Sequence, residues 1–263
     1  MKSAWFLRIW MGLVYVFLFA PILMVVVMSV STSKYSTFPI RGWTTKWYGE
    51  AFGDPKIIDA LQVSVIVAVV SAIIATIVGT MGSIALVRYR FRLRELTRAY
   101  FMSPIIVPEI ITGIALLSFA TLLSLQSGMY LVILGHVLIG LPFVVTVVSA
   151  RLYGFDRTLE EAAQDLGADE MTTFRRVTLP LLAPGILGGL LLAFTISFDN
   201  FMITYMLSGS EVMTIPVHIY SMIRLEFTPK IHAISTVIIG ISIVLVLVTQ
   251  KFTNGGAPKA DAE

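Results

Sequence analysis

RTLEEAAQDLGADEMTTFRRVTLPLLAP (157–184) is a polar segment that runs into an apolar one, and its internal signals describe a helix, a sharp turn and a second helix. Thr158 is followed three residues later by Glu161, the spacing of a capping box, which predicts a helix start. Leu159, Ala162, Ala163 and Leu166 recur at helical spacing and form one apolar stripe. Gly167 supplies a residue that readily takes the left-handed conformation ending a helix. Asp169 is placed to cap a second short helix, with Met171, Phe174 and Thr178 near one face. Leu179 and Pro180 are expected to stop that helix and lead into an apolar span. The exposed face is narrow because alanines replace larger side chains, so the element suits a groove on a partner protein. A plain amphipathic connector at the lipid surface is the competing reading.

On either side of this segment the chain is strongly apolar. Of 263 residues, 57% are hydrophobic and 13% charged, whereas a soluble domain carries about a quarter charged residues. That deficit points to a membrane protein. A helix crosses the hydrocarbon core with roughly 20 apolar residues, and six stretches qualify: 9–30, 60–87, 100–123, 129–150, 184–206 and 231–250. Backbone groups cannot stay unpaired in lipid, so each stretch is predicted to be helical. The expected fold class is all-α, a polytopic membrane protein of about six transmembrane helices. Residues 1–263 are expected to form a single transmembrane domain, with a loop at 151–183 and a flexible, polar tail at 252–263.

Arginine and lysine set the orientation. Arg88, Arg90, Arg92, Arg94 and Arg98 fill one loop, and Arg151, Arg157, Arg175 and Arg176 lie in another. Placing both loops in the cytoplasm puts both termini there too. With Lys2, Arg8, Lys251 and Lys259, this places 13 of the 19 basic residues inside. The arginines of 88–98 then read as topology determinants at an anionic leaflet. Segments 31–59 and 207–230 fall outside, and their aromatics Trp43, Trp47 and Tyr48 suit either protein docking or interfacial packing. The apolar run after Lys2 and Arg8 is too long for a signal peptide and is read as the first span.

Several chemistries are unsupported. The chain has no cysteine, which removes disulfides and thiolate metal sites. His136, His218 and His232 lack ligand spacing, so no metal is expected; His136 reads as a hydrogen-bonded helix contact. No GxxxxGK[ST] pattern is present to cradle ATP phosphates. No catalytic residue, no cofactor in this chain and no nucleic-acid partner are expected.

Glu161, Ala162, Ala163, Gly167, Val177, Leu179 and Pro180 resemble the EAA motif of binding-protein-dependent ABC importer permeases: EAA, three residues, Gly, nine residues, Ile, one residue, Leu-Pro. The sole departure is Val177 at the Ile position. SPIIVPEIITGIALL (103–117) and SFDNFMITYMLSGSEVMTIPVHIYSMIR (197–224) are similar to the polyamine branch of these permeases, and to the second of its two permease subunits. The resemblance implies a type I importer topology in a bacterial inner (plasma) membrane. It implies a heterodimer with a second permease subunit, an ABC ATPase dimer that binds the ATP and Mg, and a periplasmic solute-binding protein. Glu161, Ala162, Ala163, Gly167, Leu179 and Pro180 would then form the ATPase-coupling contact.

Charge within a membrane span is costly and marks function or a partner. Asp199 falls about 15 residues into the fifth expected span, roughly 22 Å along its axis. Glu109 falls near the middle of the third, after Pro104 and Pro108. An acidic pathway favours a cationic solute, in agreement with putrescine or spermidine. Asn200 is a further candidate, as are Tyr205 and Tyr220 through their ring faces. Other solutes carried by related branches (ferric iron, thiamine, an opine-like compound) remain alternatives. So does an ion-coupled secondary transporter with Asp199 and Glu109 as proton sites.

Overall fold

The computed structural model describes residues 2–33, 39–209, 212–225 and 228–254. The elements are α1 (Lys2–Met28), α2 (Lys46–Phe52), α3 (Pro55–Arg88), α4 (Arg94–Ile106), α5 (Glu109–Leu122), α6 (Met129–Tyr153), α7 (Thr158–Asp165) and α8 (Glu170–Thr173). A π-helical turn at Phe174–Thr178 follows, then α9 (Leu179–Asp199), α10 (Met202–Leu207), α11 (Ile215–Leu225) and α12 (Pro229–Asn254). Among the described residues the only β-type pairing is an isolated bridge between Ser31 and Trp43.

Five helices are long and apolar enough to cross a membrane, and a bent pair, α4 and α5, raises the number to six. The third expected span is therefore present but not straight: the path bends by 111° between α4 and α5. Pro108 explains the break, because the residue before a proline is driven out of helical conformation. Val107 accordingly adopts φ −81° and ψ 127°. The fifth span also departs from expectation. It does not run on to residue 206 but ends at Asp199, where Asn200 turns extended at φ −70° and ψ 121°.

Leu179 and Pro180 do not stop the second short helix. The helical path continues from Glu170 to Asp199. Pro180 lacks an N–H and crowds the preceding turn, and the wider π turn over Phe174–Thr178 absorbs that defect. The helix predicted to end before residue 251 continues to Asn254. The remainder of the expected flexible tail, 255–263, lies outside the described residues.

Contacts divide the chain into two compact units. The first comprises Met1–Ala60 and Val217–Ile241. Here α1 exposes large apolar side chains along most of its length, Trp5, Trp10, Leu13 and Phe17 among them. The described residues between α1 and α3 are packed. Trp47 is buried and donates Nε1–H to the Ser31 carbonyl at 2.7 Å, and Tyr48 OH lies 2.7 Å from Ser29 Oγ. Of the three aromatics singled out there, only Trp43 is exposed. Lys230 Nζ donates to Asp54 at 3.0 Å, and that hydrogen bond holds the Asp54 carboxyl below its usual range.

The second unit comprises Leu61–Pro216 and Ser242–Glu263, and α6 is its central helix. Ala72, Ala75, Val137, Val144, Val148, Leu182 and Ala193 form one buried cluster joining α3, α6 and α9. A second cluster joins Val67, Ala120, Val132, Ile139, Ile203 and Leu207. Small residues permit this close helix approach, most sharply at Gly135. A Cβ there would meet Ile203 Cγ2 at 2.5 Å and Leu207 Cδ1 at 2.9 Å. Gly135→Ala is expected to destabilise the chain by roughly 1–3 kcal/mol through overpacking. A lowered midpoint of thermal unfolding in detergent checks this, and an unchanged midpoint contradicts it.

Candidate functional site

Two places carry most of the expected functional residues, and both lie in the second unit. At the first, the helix–turn–helix of 157–173 forms much as its sequence signals require. Thr158 is not the cap, however. Arg157 holds that position without a side-chain bond, and Asp156 Oδ1 accepts the Thr158 N–H at 3.0 Å. That bond also holds the Asp156 carboxyl low. The Glu161 N–H that a Thr158 cap would take bonds the Arg157 carbonyl at 3.1 Å instead, so the helix starts one residue earlier.

Gly167 adopts φ +86°. Its N–H bonds the Gln164 carbonyl at 2.9 Å, and the Ala168 N–H bonds the Ala163 carbonyl at 3.0 Å. This pair of bonds is a Schellman motif. Asp169 then caps α8, with Oδ1 accepting the Thr172 N–H at 2.9 Å.

No residue of α7 is buried. Leu159 is 49% exposed, Leu166 is 90% exposed, and Glu161 and Ala162 are exposed as well. The apolar stripe thus faces outward. Leu179 and Pro180 are exposed too. What fastens the element is a residue the motif does not single out. Glu160 pairs with Arg88 at the end of α3 and accepts the Thr178 hydroxyl. The clue available in the sequence was complementary charge: a second glutamate beside Glu161, against an arginine cluster starting at 88.

At the second place, two helix breaks meet. Glu109 opens α5 just after the Val107–Pro108 bend. Asn200 sits in the break between α9 and α10 and is 8% exposed. Its Nδ2 donates to Glu109 Oε2 at 3.1 Å, while its Oδ1 accepts the Ile203 N–H at 3.0 Å. One side chain therefore caps α10 and holds the glutamate.

His136, on α6, fastens the same break. One ring nitrogen lies 2.7 Å from Ser197 Oγ before it, and the other 2.8 Å from Thr204 Oγ1 after it. The histidine is thus the helix contact the sequence suggested, and it bridges both halves.

Asp199 is exposed and bonds elsewhere. Ser242 of α12 donates to both its oxygens, at 3.0 and 3.1 Å. The two carboxylates thus have separate partners. Tyr205 is 42% exposed, with its ring stacked on Phe201 at 5.2 Å. Tyr220 belongs to the first unit, where the Arg224 guanidinium lies 5.6 Å over its ring.

Residues 75–253 match a family described as the binding-protein-dependent transport system inner membrane component. The chain belongs to that family. Among curated relatives, the spermidine/putrescine transport system permease protein PotC of Shigella flexneri is 35% identical to this inner membrane component. That match spans 255 residues, 95% of this chain and 96% of the relative. The putrescine transport system permease protein PotI of Escherichia coli K12 is 38% identical over 233 residues, 86% of this chain and 83% of the relative. Among solved structures, a bacterial ABC transporter involved in the import of the acidic polysaccharide alginate superposes with a TM-score of 0.70. Its identity is 18%, and it covers 95% of this chain and 96% of its own. At that identity the likeness is one of fold: this inner membrane component shares the architecture of an ABC transporter chain.

Proposed function

We propose that the chain is one of two permease subunits of a polyamine importer, with putrescine or spermidine as solute. The observation that carries the reading is mechanical. An outward-facing helix–Gly–helix element leads through one uninterrupted helical path, 170–199, to the breaks at Asp199 and Asn200. A push on α8 has a stiff route to the place where charge is held. The curated relatives, named as polyamine permeases along most of this chain's length, support the solute class.

In this reading Glu161, Ala162, Ala163, Gly167, Leu179 and Pro180 contact an ABC ATPase dimer, which binds the ATP and Mg. The α7 end and both termini are cytoplasmic. A solute-binding protein loads the opposite mouth, ATP closes the ATPase pair, and the two broken helices shift between outward and inward access. Asp199 attracts the ammonium groups, and Tyr205, stacked on Phe201, offers a ring face to them.

The deciding experiment is uptake of radiolabelled putrescine and spermidine into cells carrying the complete transporter. A complex whose ATPase cannot hydrolyse ATP serves as the control. Uptake lost in the control supports the reading. Uptake that persists without hydrolysis favours an ion-coupled carrier, and hydrolysis stimulated by a different solute keeps the permease but replaces the substrate.

A further inference from the structure

The base of α7 is held by a side chain outside the motif. Arg88, the last residue of α3, donates Nη1–H to Glu160 Oε2, whose other oxygen accepts the Thr178 hydroxyl. The guanidinium also lies 5.2 Å from the centre of the Phe155 ring. The Arg88 and Glu160 side chains are 17% and 13% exposed. Partial burial pushes the Glu160 carboxyl up, but Arg88 and Thr178 together more than reverse this and hold it below its ordinary value. Four places in the chain therefore converge on one pair: the end of α3, the turn before α7, α7 itself and the π turn that opens α9.

Without this pair α7 has little to hold it. It buries no residue, and it joins α8 through Gly167, around which a Cβ would find open space. The covalent route from α7 to α9 thus passes through an unpacked turn. The Arg88–Glu160–Thr178 contact bypasses that turn. Breaking either charge leaves the other partly buried and unpaired, which disfavours separation. Arg88 Nη2 and Thr173 Oγ1 are buried without a hydrogen-bond partner and line a cavity of about 240 Å³ beside the pair.

We propose that Arg88 is a positioning residue of transport that carries displacement of α7 into α3 as well as α9. The proposal rests on the permease reading above for its mechanical sense.

The test uses the complete transporter in proteoliposomes and compares Arg88→Gln, Glu160→Gln, the double variant, and the charge swap Arg88→Glu with Glu160→Arg. Each single variant is expected to co-purify with the ATPase yet move roughly five- to tenfold less solute per ATP hydrolysed, the span of a modest coupling free energy. The double variant should be no worse than either single one, and the swap should recover much of the loss. Backbone hydrogen exchange across 156–168, read on the purified chain, should rise in the single variants and fall back in the swap. This arm needs no transport.

Unchanged solute per ATP in Arg88→Gln, or additive losses in the double variant, overturns the proposal while the permease reading stands. Unchanged exchange overturns it whatever the transporter carries. A wild type without solute-stimulated hydrolysis overturns the permease reading and the transmission role together.

Discussion

Gly167→Val is expected to cut solute-stimulated ATP hydrolysis and uptake by at least about tenfold, while Gly167→Asn keeps most of both. Gly167 sits at φ +86° and ends α7 in a Schellman motif that satisfies the carbonyls of Ala163 and Gln164. An L-residue in left-handed conformation costs about 1–2 kcal/mol, and about 1.4 kcal/mol is a factor of ten in an equilibrium. A β-branched side chain lies at the costly end, whereas asparagine visits this region readily. Crowding within the chain is not the cause, because nothing lies within 4 Å of a Cβ built at this position.

The loss should therefore fall on docking geometry and not on folding of the membrane core. Equal amounts of wild type and variant in the membrane, with less ATPase co-purifying from Gly167→Val, check that distinction. A valine variant with half of wild-type hydrolysis refutes the backbone argument. Failure of both variants alike points instead to a partner surface that approaches the glycine too closely for any side chain.

The contrast between legible and hidden features follows from which interactions are local. Composition and apolar run length marked the six spans, because lipid demands internal backbone pairing and a minimum length. Gly167 and Asp169 were legible because caps act within three or four residues. Thr158 does not cap because the Glu161 N–H it would take bonds the Arg157 carbonyl, and Asp156 takes the Thr158 N–H that Glu161 would have accepted. The breaks were harder. Pro108 warned of the first, but Asn200 gives no local signal that it will end a helix within an apolar run. It does so because Glu109, ninety-one positions away in sequence, accepts its amide, and because His136 ties Ser197 to Thr204 across the gap. Arg88 was hidden for the same reason: its partner Glu160 is set by tertiary packing of α7 against the end of α3.

The two acidic candidates, alike on sequence grounds, separate once their helix ends are known, and a matched pair of variants tests the separation. Glu109 lies in the first turn of α5, where helix N–H groups favour a carboxylate, and Asn200 donates to it. Its position has a sufficient structural cause. Asp199 is the last residue of α9, at the end where helix carbonyls disfavour negative charge. Its bonds from Ser242 replace only part of what water would provide. A carboxylate kept at an unfavourable helix end, exposed and near two helix breaks, suits a cationic ligand.

Asp199→Asn removes the charge but keeps an oxygen for Ser242. Attraction between unit charges about 4 Å apart is about 4 kcal/mol at an effective dielectric of about 20. Competition with water reduces the net loss, so uptake of the proposed polyamine should fall by about 10²-fold, equivalent to about 2.7 kcal/mol. Hydrolysis stimulated by the binding protein should persist. Glu109→Gln still offers an oxygen to Asn200 and loses only the helix-end term of about 0.3–1 kcal/mol, so uptake should fall by less than about fivefold. Initial rates at several solute concentrations decide the matter, because loss of an attractive site raises the half-saturating concentration. The reverse ranking, with Glu109→Gln inactive and Asp199→Asn near wild type, places the cation at the Glu109–Asn200 contact and makes Asp199 a helix anchor for α12.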